Sequence, residues 1–280
     1  VATVRRALEL GVRYFDTSPL YGKGVSQAIL GTALLDRDED FLLATKLGHY
    51  TTLAHFRSVD AIRAQLDENL QLLRRDRVNV LQIHEADWHR WWSEEPCDDY
   101  PLQDRVDYNF PDAPVMRVLA EAKEQGRCDA FGITGNTAAG TARVLQDVDV
   151  DTYLLAMSYN PVERPAKKQA LPLAQKKQVA TILGGVLNAG NLAERNDKWF
   201  VSPPEWMTPE IEGPLKGLYQ LASDTGLSLV ALALRFVMAD PAVTIVLLGC
   251  ETPEHVEQNV EAASAGPLPA DLHQAIEDLV

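Results

Sequence analysis

The sequence predicts an α/β fold of parallel strands and crossover helices, arranged as a TIM-type (β/α)₈ barrel that lacks its first strand. Two observations favour this class. Short apolar runs rich in β-branched and aromatic residues alternate with amphipathic helical stretches along the chain. The runs are almost continuously apolar, as expected for strands buried on both faces. No compositional break divides the 280 residues, so we expect a single barrel domain over 1–280.

Seven apolar runs qualify as strands, and helical patterns lie between them. In one such pattern, Leu66, Leu70 and Leu73 recur near helical spacing, and Ser58 or Asp60 could cap it. This alternation predicts parallel strands, since each crossover requires a helix-length connection. The predicted strands are 12–16, 41–46, 78–84, 128–134, 152–157, 179–183 and 243–248.

The chain begins inside a helical pattern. Val1, Val4 and Leu8 share a face, and Gly11 ends the pattern before the first strand. A closed eight-stranded barrel requires one more strand upstream, and the first residue is not Met, so we expect an N-terminally truncated barrel. The alternative is a doubly wound open sheet. It is disfavoured because no strand is followed by Gly-x-Gly-x-x-Gly.

Charge and cysteine content argue against several function classes. The chain has 26 basic and 40 acidic residues, and its net charge of −14 repels phosphate backbones and anionic lipid. We therefore expect neither nucleic-acid nor membrane partners. The three cysteines, Cys97, Cys128 and Cys250, are scattered, which predicts buried thiols in a reducing compartment rather than disulfides or a metal site. Because no signal peptide is recognised, we expect a cytoplasmic location.

Two connections are long and both follow predicted strands, namely 85–113 and 185–208. In a barrel, such loops lie at the carboxyl ends of the strands, where these folds build their sites. We expect both loops to contact substrate and cofactor. Packing of their tryptophans against the barrel is the alternative. Those tryptophans are Trp88, Trp91, Trp92, Trp199 and Trp206.

Three ionisable residues stand at the last positions of three successive predicted strands: Asp16, Lys46 and His84. Tyr21 follows Asp16 by five residues, in a loop marked by Pro and Gly. The ends of parallel strands converge on one mouth of a barrel. A single charged strand end is usually a solvated edge, but three in succession beside a tyrosine predict one catalytic constellation.

This constellation resembles the catalytic tetrad of aldo-keto reductases. The segment Phe-Asp-Thr-Ser-Pro-Leu-Tyr-Gly at 15–22 is similar to that family's strongest signature. The resemblance covers essentially the whole chain and implies a further strand upstream of Val1. It also implies an oxidoreductase, monomeric or homodimeric, that moves hydride between a nicotinamide cofactor and a carbonyl or hydroxyl of a small molecule.

The chemistry of such a reaction needs these residue types. Hydride transfer to a carbonyl leaves an oxyanion that must be protonated, and a free tyrosine, with a pKa of about 10, is a poor base at neutral pH. The ammonium group of Lys46 would favour the phenolate of Tyr21. Asp16 would hold Lys46 and balance its charge on burial. His84 would orient the substrate oxygen and share its negative charge in the transition state.

The resemblance places the adenosine end of the cofactor against the last strand and the following helix. There, Gln258 and Asn259 match the usual adenine positions. NADP-preferring reductases offer Lys or Arg nearby, whereas no Lys or Arg follows Arg235 and three glutamates crowd this turn. We therefore predict NAD rather than NADP; an ordinary exposed acidic helix is the alternative explanation. The candidate cofactor residues in this segment are Gly249, Glu251, His255, Gln258 and Asn259.

The nicotinamide end departs from the family's commonest pattern. Asn136 is expected to hold the carboxamide, with Thr134 assisting. Ala156 stands where the family usually has glutamine, and the aromatic that usually stacks on nicotinamide is absent around Gly184. The details of this pocket therefore stay open.

These departures, together with Gly184-Gly185 and the segment 249–259, resemble the D-threo-aldose (L-fucose) 1-dehydrogenases and the pyridoxal 4-dehydrogenases. That resemblance implies NAD-dependent oxidation of an aldose or similar cyclic hemiacetal to a lactone. Trp88 is the expected platform for the sugar. An NADP-dependent aldehyde or ketone reductase is one alternative, and a nucleotide-binding sensor barrel with little turnover is another.

Overall fold

The computed structural model describes residues 1–37, 39–95 and 101–280 as one parallel seven-stranded sheet with helices packed around it. Each strand pairs with the next in chain order, and every pairing is parallel. All carboxyl ends therefore point to the same end of the sheet, which we call the mouth. The strands are β1 (Tyr14–Asp16), β2 (Leu42–Leu47), β3 (Val78–Ile83), β4 (Cys128–Gly135), β5 (Thr152–Ala156), β6 (Ala180–Gly184) and β7 (Ile245–Val246).

All seven strands predicted from the sequence are confirmed in order, and so is the opening helix. The last strand, β7, is only two residues long where 243–248 was predicted. Ser58, rather than Asp60, caps the helix that follows β2, since its Oγ accepts a hydrogen bond from Ala61 N at 3.2 Å.

Helices follow the strands as crossover elements, and two short 3₁₀ turns lie in the long loops at His89–Trp91 and Asp197–Phe200. Pro is the first or second residue of five helices, where its missing N–H costs no hydrogen bond. The helices are α1 (Ala2–Glu9), α2 (Val25–Ala33), α3 (Leu53–Phe56), α4 (Val59–Leu73), α5 (Pro114–Glu124), α6 (Ala138–Asp147), α7 (Pro165–Gln169), α8 (Leu171–Lys176), α9 (Pro209–Thr225), α10 (Leu229–Met238), α11 (Pro253–Ser264) and α12 (Ala270–Glu277).

The sheet does not close on itself. Within the described ranges, no strand pairs with the outer edge of β1 or of β7. Helices bridge this seam instead: Arg6 Nε of α1 donates to Glu257 Oε1 of α11 at 2.7 Å, and Thr3 Oγ1 donates to the carbonyl of Glu251 at 3.1 Å. The architecture is a TIM-barrel-like fold that lacks one strand, as the sequence predicts.

In the described part of the chain, no single helix is both long and apolar enough to cross a membrane. Helices α9 and α10 meet the length and composition criteria only together, as a pair bent by 105°. Of the cysteines, Cys128 is buried and Cys250 is half-buried, whereas Cys97 lies outside the described residues.

Candidate active site

The four residues predicted to form the catalytic constellation meet at the mouth, with Lys46 at their centre. Lys46 is 1% exposed, and its ammonium donates to Asp16 Oδ1 in a short ion pair. It also donates to the carbonyl of Thr17 at 2.9 Å and to the hydroxyl of Tyr21 at 3.4 Å. A buried ammonium is tolerable because a carboxylate and two further oxygens surround it.

Tyr21 stands at the open rim of this cluster. It is 40% exposed, while the ammonium of Lys46 lies 4.9 Å from the centre of its ring. The rings of Tyr21 and His84 meet edge to face, with centroids 5.8 Å apart. The phenol hydroxyl therefore contacts a cation on one side and remains accessible to a substrate on the other.

His84 is buried and neutral. Burial, followed by the charges of Lys46 and His49, lowers the pKa of His84 to about 2. Its Nδ1 lies 3.0 Å from Ser18 Oγ, which already accepts a hydrogen bond from Leu20 N. This arrangement favours donation from Ser18 to Nδ1, and the Nε2–H of His84 is then the donor for a substrate oxygen.

Gln82 is a positioning residue that the sequence analysis missed. Its Nε2 donates to Asp16 Oδ2 at 3.0 Å, so Asp16 is held by Lys46 on one oxygen and by Gln82 on the other. Gln82 lies opposite Lys46 in the β2–β3 register and two residues before His84. The period of two along a strand was the signal that could have revealed it.

The end of β2 is fixed from behind by two amide side chains of α4. Asn69 Nδ2 donates to the carbonyl of Lys46 at 2.9 Å. Gln65 both accepts from Gly48 N and donates to Gly48 O, each at 2.8 Å. The backbone that presents Lys46 is therefore hydrogen-bonded to a neighbouring helix as well as to the sheet.

Asp87 is a second residue missed from the sequence. It is 4% exposed, and its Oδ2 accepts from Asn136 N, Thr137 N and Thr137 Oγ1 at 3.1, 2.9 and 2.7 Å. Burial raises the pKa of Asp87, and these hydrogen bonds oppose the rise. The carboxylate thereby fixes the turn between β4 and α6 that carries Asn136.

A cleft of about 710 Å³ runs from Asp16 and Tyr21 along the seam to Gly249 and Asn259. Its volume lies within the roughly 300–1,000 Å³ typical of ligand and cofactor pockets. Ala156 and Gly184 line its middle, and a Cβ added at Gly249 would meet no atom within 4 Å. Much of its lining is apolar, including Leu30, Leu154 and Leu234, because the cleft follows the seam where the fold lacks one strand.

The other predicted cofactor residues take different positions. Asn259 lines the cleft, and its Nδ2 donates to Cys250 Sγ at 3.2 Å. Asn136 is exposed at the rim of the mouth, whereas Thr134 is buried and its Oγ1 accepts from Glu85 N. The structure does not bring the remaining three into the cleft. They are exposed on the surface at the start of α11: Glu251, His255 and Gln258.

The charge around α11 differs from what its own sequence suggests. No Lys or Arg follows Arg235, but the fold brings Arg6 of α1 against Glu257 at 2.7 Å. Arg6 is also paired with Glu9 at 3.3 Å. One of the glutamates counted as unbalanced from the sequence is therefore paired, by a residue distant along the chain.

The tryptophans of the first long loop divide into two roles. Trp91 and Trp92 are buried, and their indole N–H groups donate to the carbonyls of His84 and Ala86 at 2.9 and 2.6 Å. They pack the loop onto the sheet. Trp88 is only half-buried, and its ring lies near the mouth with its centroid 5.0 Å from that of His49.

Comparison with known proteins gives a consistent result. The aldo/keto reductase family model matches residues 1–280. L-galactose dehydrogenase of Arabidopsis thaliana is 31% identical over 94% of this chain and 77% of that protein. D-threo-aldose 1-dehydrogenase of a Pseudomonas species is 25% identical over 97% and 84%. The solved holo form of aldo-keto reductase AKR11C1 from Bacillus halodurans superposes with a TM-score of 0.78 at 25% identity, covering 99% and 86%.

Proposed function

Because the chain belongs to the aldo/keto reductase family, we propose that it is an NAD-dependent dehydrogenase that oxidises an aldose or similar cyclic hemiacetal to a lactone. The observation that carries this proposal is the buried ammonium of Lys46, in contact with both Asp16 and the hydroxyl of Tyr21. The names of the two sugar dehydrogenases among the relatives support the substrate class.

Tyr21 handles the proton in this mechanism. During oxidation, its phenolate oxygen accepts the proton of the substrate hydroxyl, and the phenol returns that proton when the reaction runs as a carbonyl reduction. Lys46 stabilises the phenolate form, since its ammonium lies 3.4 Å from the oxygen. Asp16 and Gln82 keep the ammonium in place, and neutral His84 donates a hydrogen bond to the reacting oxygen.

When bound, the nicotinamide ring supplies the hydride chemistry. Asn136 at the rim would hold its carboxamide, with Thr134 supporting the adjacent loop. Gly249 and Asn259 would contact the adenosine end in the cleft. The exposed Glu251, His255 and Gln258 would flank the adenosine from the surface of α11.

We expect NAD to be preferred because the start of α11 offers a phosphate group little positive charge. Glu251 and Glu254 repel a 2′-phosphate, and Arg6 is already paired with Glu257 and Glu9. Arg6 itself, a cation beside α11, favours the alternative, an NADP-dependent aldehyde or ketone reductase. The ratio of kcat/KM for NAD and NADP decides between them, and a higher value with NADP overturns the NAD assignment.

Trp88 and the two long loops, 85–113 and 185–208, are the proposed substrate platform. An aromatic ring beside a polar mouth suits the apolar face of a sugar, and Trp88 lies one residue after the fixed Asp87. The placement of the loops at the carboxyl ends of their strands supports this role.

Tyr21→Phe tests the mechanism. With a panel of aldoses and NAD, we expect kcat to fall by a factor of about 10² to 10⁴, the usual contribution of a positioned acid–base group. Tyr50→Phe is the matched control, because the Tyr50 hydroxyl lies buried without a hydrogen-bond partner in the structure. Its kcat should stay close to that of the wild type. Activity of Tyr21→Phe within about tenfold of the wild type, a factor worth about 1.4 kcal/mol, is incompatible with the proposal.

A further inference from the structure

A second cluster surrounds Glu85, the residue directly after His84. Its side chain is 14% exposed, and its two oxygens face different neighbours. Oε1 accepts a hydrogen bond from Asn136 Nδ2 at 2.9 Å, and Oε2 lies 3.0 Å from His49 Nε2. One carboxylate therefore contacts a residue that follows β4 and a residue that follows β2.

The backbone of Glu85 and of His49 is held in an uncommon conformation. Their φ angles are +56° and +60°, in the left-handed region that non-glycine residues rarely occupy. Glu85 N donates to Thr134 Oγ1 at 3.0 Å, and Thr134 is 2% exposed. Such conformations persist only where the surroundings fix them and often accompany functional sites. The fold therefore specifies where the carboxylate points.

The two neighbours of Glu85 lie on either side of β3, because His49 follows β2 and Asn136 follows β4. The His49 ring packs edge to face on His84, with centroids 4.4 Å apart, and also on Trp88. Asn136 is exposed on the β4 side, and its backbone N–H donates a hydrogen bond to Asp87 Oδ2. The His49 and Glu85 atoms are at ion-pair distance but neither makes a hydrogen bond, so the contact with Asn136 is the firmer of the two.

We propose that Glu85 is a positioning residue that couples the cofactor side of the mouth to its substrate side. Its carboxylate presents the Asn136 amide to the nicotinamide carboxamide and keeps the His49 ring beside Trp88, the proposed substrate platform. The proposal rests on the proposed function, from which the role of Asn136 is taken. Loss of the carboxylate releases both side chains at once, so cofactor affinity and substrate KM change together while kcat changes less.

A double-mutant cycle on cofactor affinity tests the Asn136 arm. The dissociation constants of NAD and NADP are measured by calorimetry for the wild type, Glu85→Ala, Asn136→Ala and the double variant. We expect Glu85→Ala to weaken binding of the preferred dinucleotide about 3- to 10-fold, the usual size of one hydrogen bond. In the Asn136→Ala background the same change should have less than about a 2-fold effect. Fully additive losses overturn the proposal, because a merely structural role acts independently of Asn136.

The conservative variant separates the two arms. In Glu85→Gln the side-chain amide oxygen can still accept a hydrogen bond from Asn136, so the affinity for the dinucleotide should match that of the wild type. The KM for an aldose should rise, because the negative charge that faces His49 is lost. Glu124→Gln is the control, since Glu124 is an exposed carboxylate at the end of α5, outside both long loops. A Glu85→Gln variant as weak as Glu85→Ala in dinucleotide affinity contradicts the proposal.

The measurement of dinucleotide affinity by calorimetry does not depend on turnover. The proposed function and the proposed role of Glu85 can therefore fail separately. A wild-type protein that binds a dinucleotide but oxidises no aldose refutes the proposed function, and the cycle still decides the role of Glu85. A wild-type protein that binds neither NAD nor NADP refutes both.

Discussion

The two sides of the sheet differ in how firmly they are built. Strands β2 to β5, the dense side, are five to eight residues long and buried along most of their length. Strands β1 and β7, the open side, have three and two residues, and β7 is only half-buried. Lys46 and His84 come from the dense side, whereas Asp16 and Tyr21 come from β1 and the loop after it.

This difference separates two requirements of the site. The side chains whose charge state must be fixed, buried Lys46 and neutral His84, are held where the backbone is most constrained. The cleft runs along the open side, between the edges of β1 and β7. The ion pair between Lys46 and Asp16 joins the two sides at the mouth.

The largest expected effect tests whether the two sides depend on each other. In Lys46→Met, the Asp16 carboxylate, with its side chain 9% exposed, loses its counterion. We expect the free energy of unfolding to fall by about 3–5 kcal/mol, the usual result of leaving a buried charge unpaired. Urea denaturation without cofactor measures it.

Lys123→Met is the matched control for this variant. Lys123 pairs with Asp151 at 2.7 Å, but both side chains are about two-fifths exposed, so its loss should cost no more than about 1 kcal/mol. Equal losses in the two variants would show that the sides are energetically independent.

The second test compares packing on the two sides with one kind of substitution. A Cβ at Gly132 of β4 would overlap Thr152 Oγ1 and the carbonyl oxygen of Thr152 in β5, whereas a Cβ at Gly249, after β7, meets nothing within 4 Å. We expect Gly132→Ala to destabilise by about 3 kcal/mol or more. Gly249→Ala should stay within about 0.5 kcal/mol of the wild type. Thermal unfolding of both variants gives the comparison, and similar losses would contradict the distinction between the sides.

The smallest expected effect concerns pH. The folded-state pKa of His84 is about 2, below its ordinary value of about 6.5, so acid protonates the unfolded chain first and favours unfolding. The pH-dependent contribution of His84 becomes negligible above about pH 7.5. Between pH 6.5 and 5 it should account for a loss of about 2 kcal/mol in stability.

The measurement is the unfolding free energy of the wild type and of His84→Gln at several pH values. The variant should lose less stability than the wild type between pH 6.5 and 5. His55→Gln, at an exposed position, serves as the control and should keep the wild-type slope. If the unfolding free energies of the wild type and of His84→Gln changed equally with pH, the result would argue against a buried neutral imidazole on the dense side.

The sequence predicted the strands because a parallel sheet covered by helices leaves continuous apolar runs. The predicted length of β7 was wrong, because a hydrophobic pattern does not reveal that a strand pairs along only one of its edges. The meeting of Asp16, Lys46 and His84 followed from a rule of topology, that parallel strand ends share a mouth. No comparable rule gives lateral contacts between side chains, so Gln82, Ser18 and Asp87 were not anticipated.

Long-range contacts explain the remaining differences. The pair between Arg6 and Glu257 joins residues 251 positions apart, so a charge count along α11 alone misses it. The burial of Thr134 and the exposure of Gln258 depend on how each element rotates against its neighbours. A resemblance in sequence assigns a position without giving that rotation.

The exposure of Tyr21 has a consequence for proton traffic. Because Tyr21 is 40% exposed, we expect its hydroxyl to exchange its proton with the bulk without an internal relay of side chains. In mixtures of light and heavy water, the rate of the proton-coupled step should then vary linearly with the deuterium fraction, because only one proton is transferred in the transition state.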